Sequence, residues 1–371
     1  MKKIIFITDN IFTHRDYLRF GFDVLNNFFK VEVLSTKKYK NNLKQVIFFE
    51  NFKKLKKYLK LQDAICVIDL LFPNFLSFQL KLLCKLINIK IVKLKLGPVP
   101  VLSEKTSLFE RVLNNFIPKL NKGGSFFFKI KCHFFIIINS LIKYDIIFLA
   151  SHLDHKKNDG IFYIKNHSLD YDFFLKKNNK VKKDKIVFVD GNILYNTDYK
   201  IHSTKRPIEP KKYIESINSF FSQVEKKMNA RIVVAASPKS DLKKIKKIFK
   251  NRTIVINKTF ELIKNAKFVL LHKSTAASFA VLFNKPLIFL INNELLKTWY
   301  GKEIIFQSKL LGNNLINIDK PNSVNRSLSL GINSIKYKNY INDYIKFPNS
   351  KNINNWLLFS NILNKMIKSS K

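Results

Sequence analysis

The segment from Ala266 to Ile291, AKFVLLHKSTAASFAVLFNKPLIFLI, constrains the fold more than any other stretch of the chain. Phe268 to Leu271 is a short apolar run that fits a buried parallel strand. His272, Lys273, Ser274 and Thr275 interrupt it with polar groups. From Ala276 to Phe283 small and apolar residues recur at helical spacing, and Ser274 or Thr275 is placed to cap that helix. Lys285-Pro286 ends the helix, and Leu287 to Ile291 reads as the next strand. The pattern is a βαβ unit with a polar turn at the carboxyl end of a strand. Such a turn, with helix N–H groups and the positive end of a helix dipole, suits an anionic phosphate. A well-capped helix whose hydroxyls act only locally fits the same spacing equally well.

Similar alternation runs through the whole sequence. In the first half, apolar runs at 4–8, 31–35, 45–50, 64–71, 89–97, 144–150 and 160–166 read as strands, with helices between them. A helical region is expected from about Leu108 to Lys143, interrupted at Gly123-Gly124. Lys176 to Lys185, KKNNKVKKDK, lacks apolar periodicity and reads as a linker. After it the pattern restarts with strands at 185–190, 230–236 and 252–257, helices at 210–228 and 241–250, and a short helix over 260–265. The expected fold class is therefore α/β: two doubly wound Rossmann-like domains with a cleft between their strand ends, followed by C-terminal helices. The boundaries are 1–175, a linker at 176–185, a second domain at 186–330 and helices at 331–371. A chain of 371 residues is long enough for two such cores.

The formal net charge of +41 invites a nucleic-acid reading, which composition opposes. Of 67 basic residues only Arg15, Arg19, Arg111, Arg206, Arg231, Arg252 and Arg326 are arginines. A base-reading protein would use more of the guanidinium fork that matches guanine and phosphate. Lys, Asn, Ile and Phe abound together and share A/T-rich codons, so no nucleic-acid partner is expected. The lysines still attract polyanions and anionic lipid. KKLKKYLK (53–60) and KKIKKIFK (243–250) are the densest runs, and each reads first as a solvated helix face. No window is apolar over the roughly 18 residues that a membrane span requires. Cys66, Cys84 and Cys132 have no metal-ligand spacing and fit a reducing compartment. The expected location is cytoplasmic, with peripheral attachment at the inner membrane face.

Several stretches carry a resemblance: VVAASPKSDL (233–242), NRTIVINKTFELIKNAKFVLLHKSTAASFAVLFNKPLIFL (251–290), KIVFVDGNILYNTDYK (185–200), HRDYLRFGFDVL (14–25) and HSLDYDFFL (167–175). With them the sequence resembles an uncharacterised bacterial family of surface-polysaccharide biosynthesis whose members are similar to GT-B glycosyltransferases. The resemblance implies a nucleotide-sugar donor site in the second domain, a glycan or lipid-linked acceptor in the first, and sugar transfer of hexosyl or sialyl type. Nothing resembles a metal-binding Asp-x-Asp on a strand-end loop, so no obligatory metal is expected. No cofactor is implied. One departure matters: the family, like the bacterial sialyltransferases it resembles, carries a His-Pro pair after the 233–236 strand, and this chain has Ser237-Pro238. Serine can bond a phosphate or ribose but supplies no imidazolium charge. Asn196 stands where another family histidine is expected.

Transfer from a nucleotide-sugar needs the leaving phosphate stabilised and an acceptor hydroxyl deprotonated. On the donor side the candidates are Ser237, Pro238, Lys239, His272, Ser274 and Thr275, with Glu261 for ribose hydroxyls. Asp16 is the first candidate base and His14 the second. Arg15 and Arg19 fall to the acceptor side, and Asp190 is a further candidate base for which a turn role competes. His152, Asp154 and His155 read as polar surface, not as a metal site. A catalytically weakened binding protein of the same pathway, or a sugar-nucleotide epimerase or hydrolase, is the alternative.

Overall fold

The computed structural model describes residues 2–38, 45–97, 100, 102, 134–155, 160–176, 184–195, 206–237, 240–312, 314–320, 324 and 328–369. They form two compact units, one from residues up to 98, 120–175 and 344 onward, the other chiefly from 176–343.

The first unit is built on a seven-stranded sheet in the order β3-β2-β1-β4-β5-β6-β7. Its strands are β1 (Lys3–Thr8), β2 (Lys30–Ser35), β3 (Val46–Phe48), β4 (Ala64–Asp69), β5 (Lys90–Lys95), β6 (Ile146–Leu149) and β7 (Phe162–Lys165), all parallel. Central strands such as KIIFIT are covered on both faces, hence their unbroken apolar runs. Between β1 and β2 lie two short helices, α1 (His14–Arg19) and α2 (Phe22–Leu25). Gly21 separates them with a φ of +58°, and a Cβ there would lie 2.0 Å from Trp356 Cδ1, so only glycine fits. Then come α3 (Phe52–Lys60), α4 (Phe75–Leu86), α5 (described over 134–141) and α6 (Leu169–Leu175). Asn51 and Asn74 cap α3 and α4 by accepting from Lys54 N at 3.0 Å and Ser77 N at 2.9 Å.

The second unit carries a six-stranded parallel sheet in the order β10-β9-β8-β11-β12-β13. Its strands are β8 (Lys185–Val189), β9 (Ile232–Ala236), β10 (Thr253–Ile256), β11 (Ala266–Leu271), β12 (Leu287–Ile291) and β13 (Leu315–Asn317). The helices are α7 (Pro210–Met228), α8 (Leu242–Phe249), α9 (Thr259–Lys264), α10 (Ala277–Leu282), α11 (Asn293–Leu296), α12 (Trp299–Leu310) and α13 (Ser334–Tyr340). Asparagine does much of the turn work. Asn88, Asn192, Asn229, Asn257, Asn284 and Asn349 all hold a positive φ, the conformation asparagine tolerates best after glycine. The last helix, α14 (Asn355–Ser369), returns to the first unit, where Trp356, Phe359 and Leu363 join Phe6, Phe22 and Phe148 in one core cluster. Two parallel sheets with flanking helices are thus the two Rossmann-like domains that the alternation predicts.

Candidate functional site

In each sheet the chain winds outward from a central strand in one direction and then in the other. The reversal lies between β1 and β4 in the first sheet and between β8 and β11 in the second. Loops leaving the carboxyl ends of two such strands diverge and open a crevice, the usual ligand position in a doubly wound sheet. Val189 pairs with Leu271, so Asp190-Gly191 and the His272–Thr275 turn leave the second sheet side by side. Asp190 N donates to Ala235 O at 3.0 Å, which brings the end of β9, and Ser237 just beyond it, to the same edge. The structure therefore gathers Asp190, Ser237, His272, Ser274 and Thr275 at the strand ends of one sheet. Pro238 and Lys239, as well as Asn196, lie outside the described residues.

The His272 ring is 1% exposed and bonded on both sides within the fold. Nδ1 lies 2.7 Å from Leu290 O, and Nε2 lies 2.8 Å from the Tyr213 hydroxyl. A carbonyl only accepts, so Nδ1 carries the proton and Tyr213 donates to Nε2. Burial pushes the His272 pKa down to about 4, against a smaller upward pull from the Leu290 carbonyl. His272 thus acts as a neutral pin between α7 and β12, holding the turn from below.

The turn differs from the expected capped helix. Ala276, not Ser274 or Thr275, is the N-cap residue of α10, which has only six residues. Ser274 Oγ accepts from Ala276 N at 3.1 Å, and Ala277, Ser278 and Phe279 donate to carbonyls of Ser274, Thr275 and Ala276. These N–H groups are satisfied within the turn, so an anion here would be met by the hydroxyls instead. Thr275 is exposed and Ser274 half-buried. Two residues of α12 hold the turn in place: Glu303 takes the Lys273 ammonium at 3.1 Å, and Gln307 Nε2 donates to Ser274 O at 3.3 Å. Gly191 closes the other side, with the site of its missing Cβ 3.4 Å from Lys273 O.

Asp190 is the group whose position sequence reasoning undervalued. It is 5% exposed, its Oδ1 accepts from Asn192 N at 2.9 Å, and its Oδ2 is buried without a hydrogen-bond partner. The turn role is therefore real for one oxygen and absent for the other. Burial pushes the Asp190 pKa up to about 6, offset in part by the Asn192 N–H. Gln307 Oε1, also buried without a partner, is a second orphaned acceptor beside the same turn. Glu261 is exposed in the first turn of α9, where no side chain caps the helix. A cavity of about 480 Å³ opens one strand further along, beyond β12, lined by Arg206, Glu209, Asn293, Glu294 and Lys297.

In the first unit, His14, Arg15, Asp16 and Arg19 all sit on α1, after β1. Asp16 Oδ2 accepts from Thr13 N at 2.9 Å and from Thr13 Oγ at 2.7 Å, a capping box that engages this one oxygen of the carboxylate. His14 is exposed and stacks on Tyr17 with ring centres 6.0 Å apart. Arg19 faces Asp170 at 3.7 Å; burial raises the Asp170 pKa while Arg19 and Arg15 draw it back. Elsewhere, Asp154 pairs with Lys95 at 3.2 Å, and His155 packs edge-on against Tyr163. Among the described residues no group of three His, Cys, Asp or Glu is placed to hold a metal ion. Nor is any described helix long and apolar enough to cross a membrane.

No family model matches the sequence, and no curated protein does. Solved structures do resemble the fold. The UGT2 glycosyltransferase of Phytolacca americana, solved with UDP-2-fluoro-glucose and pterostilbene, aligns with a TM-score of 0.51 at 10% identity over 100% of both chains. MurG of Acinetobacter baumannii aligns at 0.52 and 10% identity over 99% of this chain and 100% of its own. The wall teichoic acid polymerase TagF reaches 0.58 at 10% identity, covering 100% of this chain and 90% of that one. At such identities the likeness establishes the fold, and that fold is GT-B: two Rossmann-like domains.

Proposed function

We propose that the protein is a glycosyltransferase that takes a sugar from a nucleotide-sugar and passes it to a hydroxyl of a growing surface glycan, as in a capsule or O-antigen. The observation that carries this reading is the convergence of Asp190, Ser237, Ser274 and Thr275 at the β8/β11 reversal of the second sheet. The hydroxyls of Ser274 and Thr275 would bond the leaving phosphate, with no obligatory metal and no cofactor. The orphaned acceptors Asp190 Oδ2 and Gln307 Oε1 mark where a ligand's own O–H or N–H donors would be satisfied. Glu261 is assigned to the ribose, and Arg15 and Arg19 to the acceptor.

As base we favour His14 over Asp16, because Asp16 Oδ2 is held in the cap by two bonds from Thr13 and the His14 ring is exposed. A glycan or lipid-linked acceptor would place the enzyme at the cytoplasmic face of a membrane. Calorimetry with UDP-, GDP-, TDP- and CMP-sugars tests the donor assignment: one nucleotide class binding selectively supports it, and no binding by any of the four opposes it. A non-catalytic binding protein of the same pathway is the second reading, favoured by Ser237 in the place of the family's histidine. Under that reading a donor binds but its sugar is transferred neither to an acceptor hydroxyl nor to water.

A further inference from the structure

One face of the first sheet carries exposed lysines and exposed apolar side chains together. Leu55 and Leu59 of α3 and Leu80, Leu83 and Cys84 of α4 pack into a single core cluster with Ile5, Ile7, Val67 and Ile91. Both helices therefore turn their remaining sides outward on the same face. The outward side of α3 is basic, with Lys53, Lys56, Lys57 and Lys60 exposed. That of α4 is apolar: Phe75, Leu82 and Leu86, spaced to share one helical face, are 56%, 45% and 75% exposed.

Helix α5 extends this apolar surface. It is tied to α4 by Asn139 Nδ2, which donates to Asn74 O at 3.0 Å, and by the buried Lys81, whose ammonium donates to Asn139 O and Ile142 O. Its own exposed stripe is Phe134, Ile137 and Leu141, at positions i, i+3 and i+7, with exposures of 55%, 61% and 73%. Two neighbouring helices thus present apolar stripes to solvent beside a lysine-studded third, an arrangement that marks an interaction surface.

The charge selects the occupant. A second copy of a chain with a net charge of +41 would meet this face with like charge. Of the acids beside the helices, Glu50 is matched by Lys54 at 2.6 Å and Asp145 by Lys85, which leaves Asp63, just past α3, against four exposed lysines. We propose that this face docks on an anionic phospholipid bilayer. The lysines of α3 reach the headgroups, and the stripes of α4 and α5 sit at the boundary between headgroups and acyl chains. The proposal names the surface behind the membrane location given above and does not depend on sugar transfer.

The test is co-sedimentation of the full chain with phosphatidylglycerol and phosphatidylcholine vesicles at low and high salt. Wild type should bind the anionic vesicles and release partly in salt. Changing Lys53, Lys56, Lys57 and Lys60 to Glu should lower anionic-vesicle binding by about 800-fold, since each of the four lysines contributes about 1 kcal/mol. The same change at Lys243, Lys246 and Lys247 of α8, also exposed, should matter far less. Ile137→Ser with Leu141→Ser should remove the salt-resistant part. Donor binding, measured by calorimetry on the same variants, should not change, so the two readings fail separately. Equal losses from both lysine sets would overturn the proposal. So would a serine variant that binds lipid like wild type, melts at a lower temperature (a face covered by the chain itself) or converts a dimer to a monomer (a second copy).

Discussion

Asp190→Asn is expected to stabilise the protein at neutral pH, and the size of the effect follows from the buried carboxyl. Its pKa is raised from 3.8 to about 6, with burial the leading cause. A group with a raised folded pKa contributes its full stability below the unfolded pKa and loses it as pH rises through the folded one. A difference of about two units at 1.36 kcal/mol each amounts to about 2 to 3 kcal/mol, withdrawn between pH 4 and pH 7. Asparagine keeps the acceptor for Asn192 N and carries no charge. The cost of placing an amide nitrogen at the Oδ2 position is independent of pH. Urea unfolding of both proteins from pH 4 to pH 7.5 isolates the linkage: the variant should gain about 2 to 3 kcal/mol relative to wild type over that range. A stability difference constant across the range would refute the reasoning, because Asp190 would then ionise alike in both states. The same variant should bind donor more weakly if the orphaned Oδ2 serves the ligand, a trade of stability for function.

His272 gives the opposite sign. With its folded pKa down at about 4, its contribution is present above pH 6.5 and lost as pH falls; wild type should lose about 2 to 3 kcal/mol by pH 4.5 that His272→Gln does not lose. Tyr213→Phe should cost about 1 to 3 kcal/mol in urea unfolding, since His272 Nε2 is left buried without its donor. Gly21→Ala should cost about 2 to 4 kcal/mol, from a positive φ and a methyl driven into Trp356; an unchanged melting temperature would contradict that packing.

Much of this architecture was legible because parallel strands covered on both faces leave unbroken apolar runs. KIVFV at 185–189, IVVAA at 232–236 and LIFLI at 287–291 all form strands as read. Helix α7 begins at Pro210 and ends at Met228 as expected, with Glu209 accepting from Lys211 N and Lys212 N as its cap. What stayed hidden depends on contacts distant in sequence. Nothing in Trp356 itself announces that its indole donates to Arg19 O at 3.1 Å and fills the space left by Gly21. The break between α1 and α2 at Gly21 has the same origin. At the site, the polar turn after β11 was visible from its hydroxyls, whereas its supports on α12 were not. The salt bridge to Glu303 and the amide of Gln307 join residues about thirty positions apart. His272 looked like a ligand-facing group because its neighbours are polar; only the position of Tyr213 on α7 shows both ring nitrogens engaged. The expected helix over 108–143 is described only from residue 134 onward.

The central claim is that the turn after β11 binds the donor's phosphate through its hydroxyls. The most direct measurement is calorimetric affinity of Ser274→Ala with Thr275→Ala for the nucleotide-sugar that wild type prefers. The double variant should bind about 1 to 3 kcal/mol more weakly, the scale of hydrogen bonds lost to a charged group. A variant with unchanged melting temperature and unchanged affinity would contradict the account.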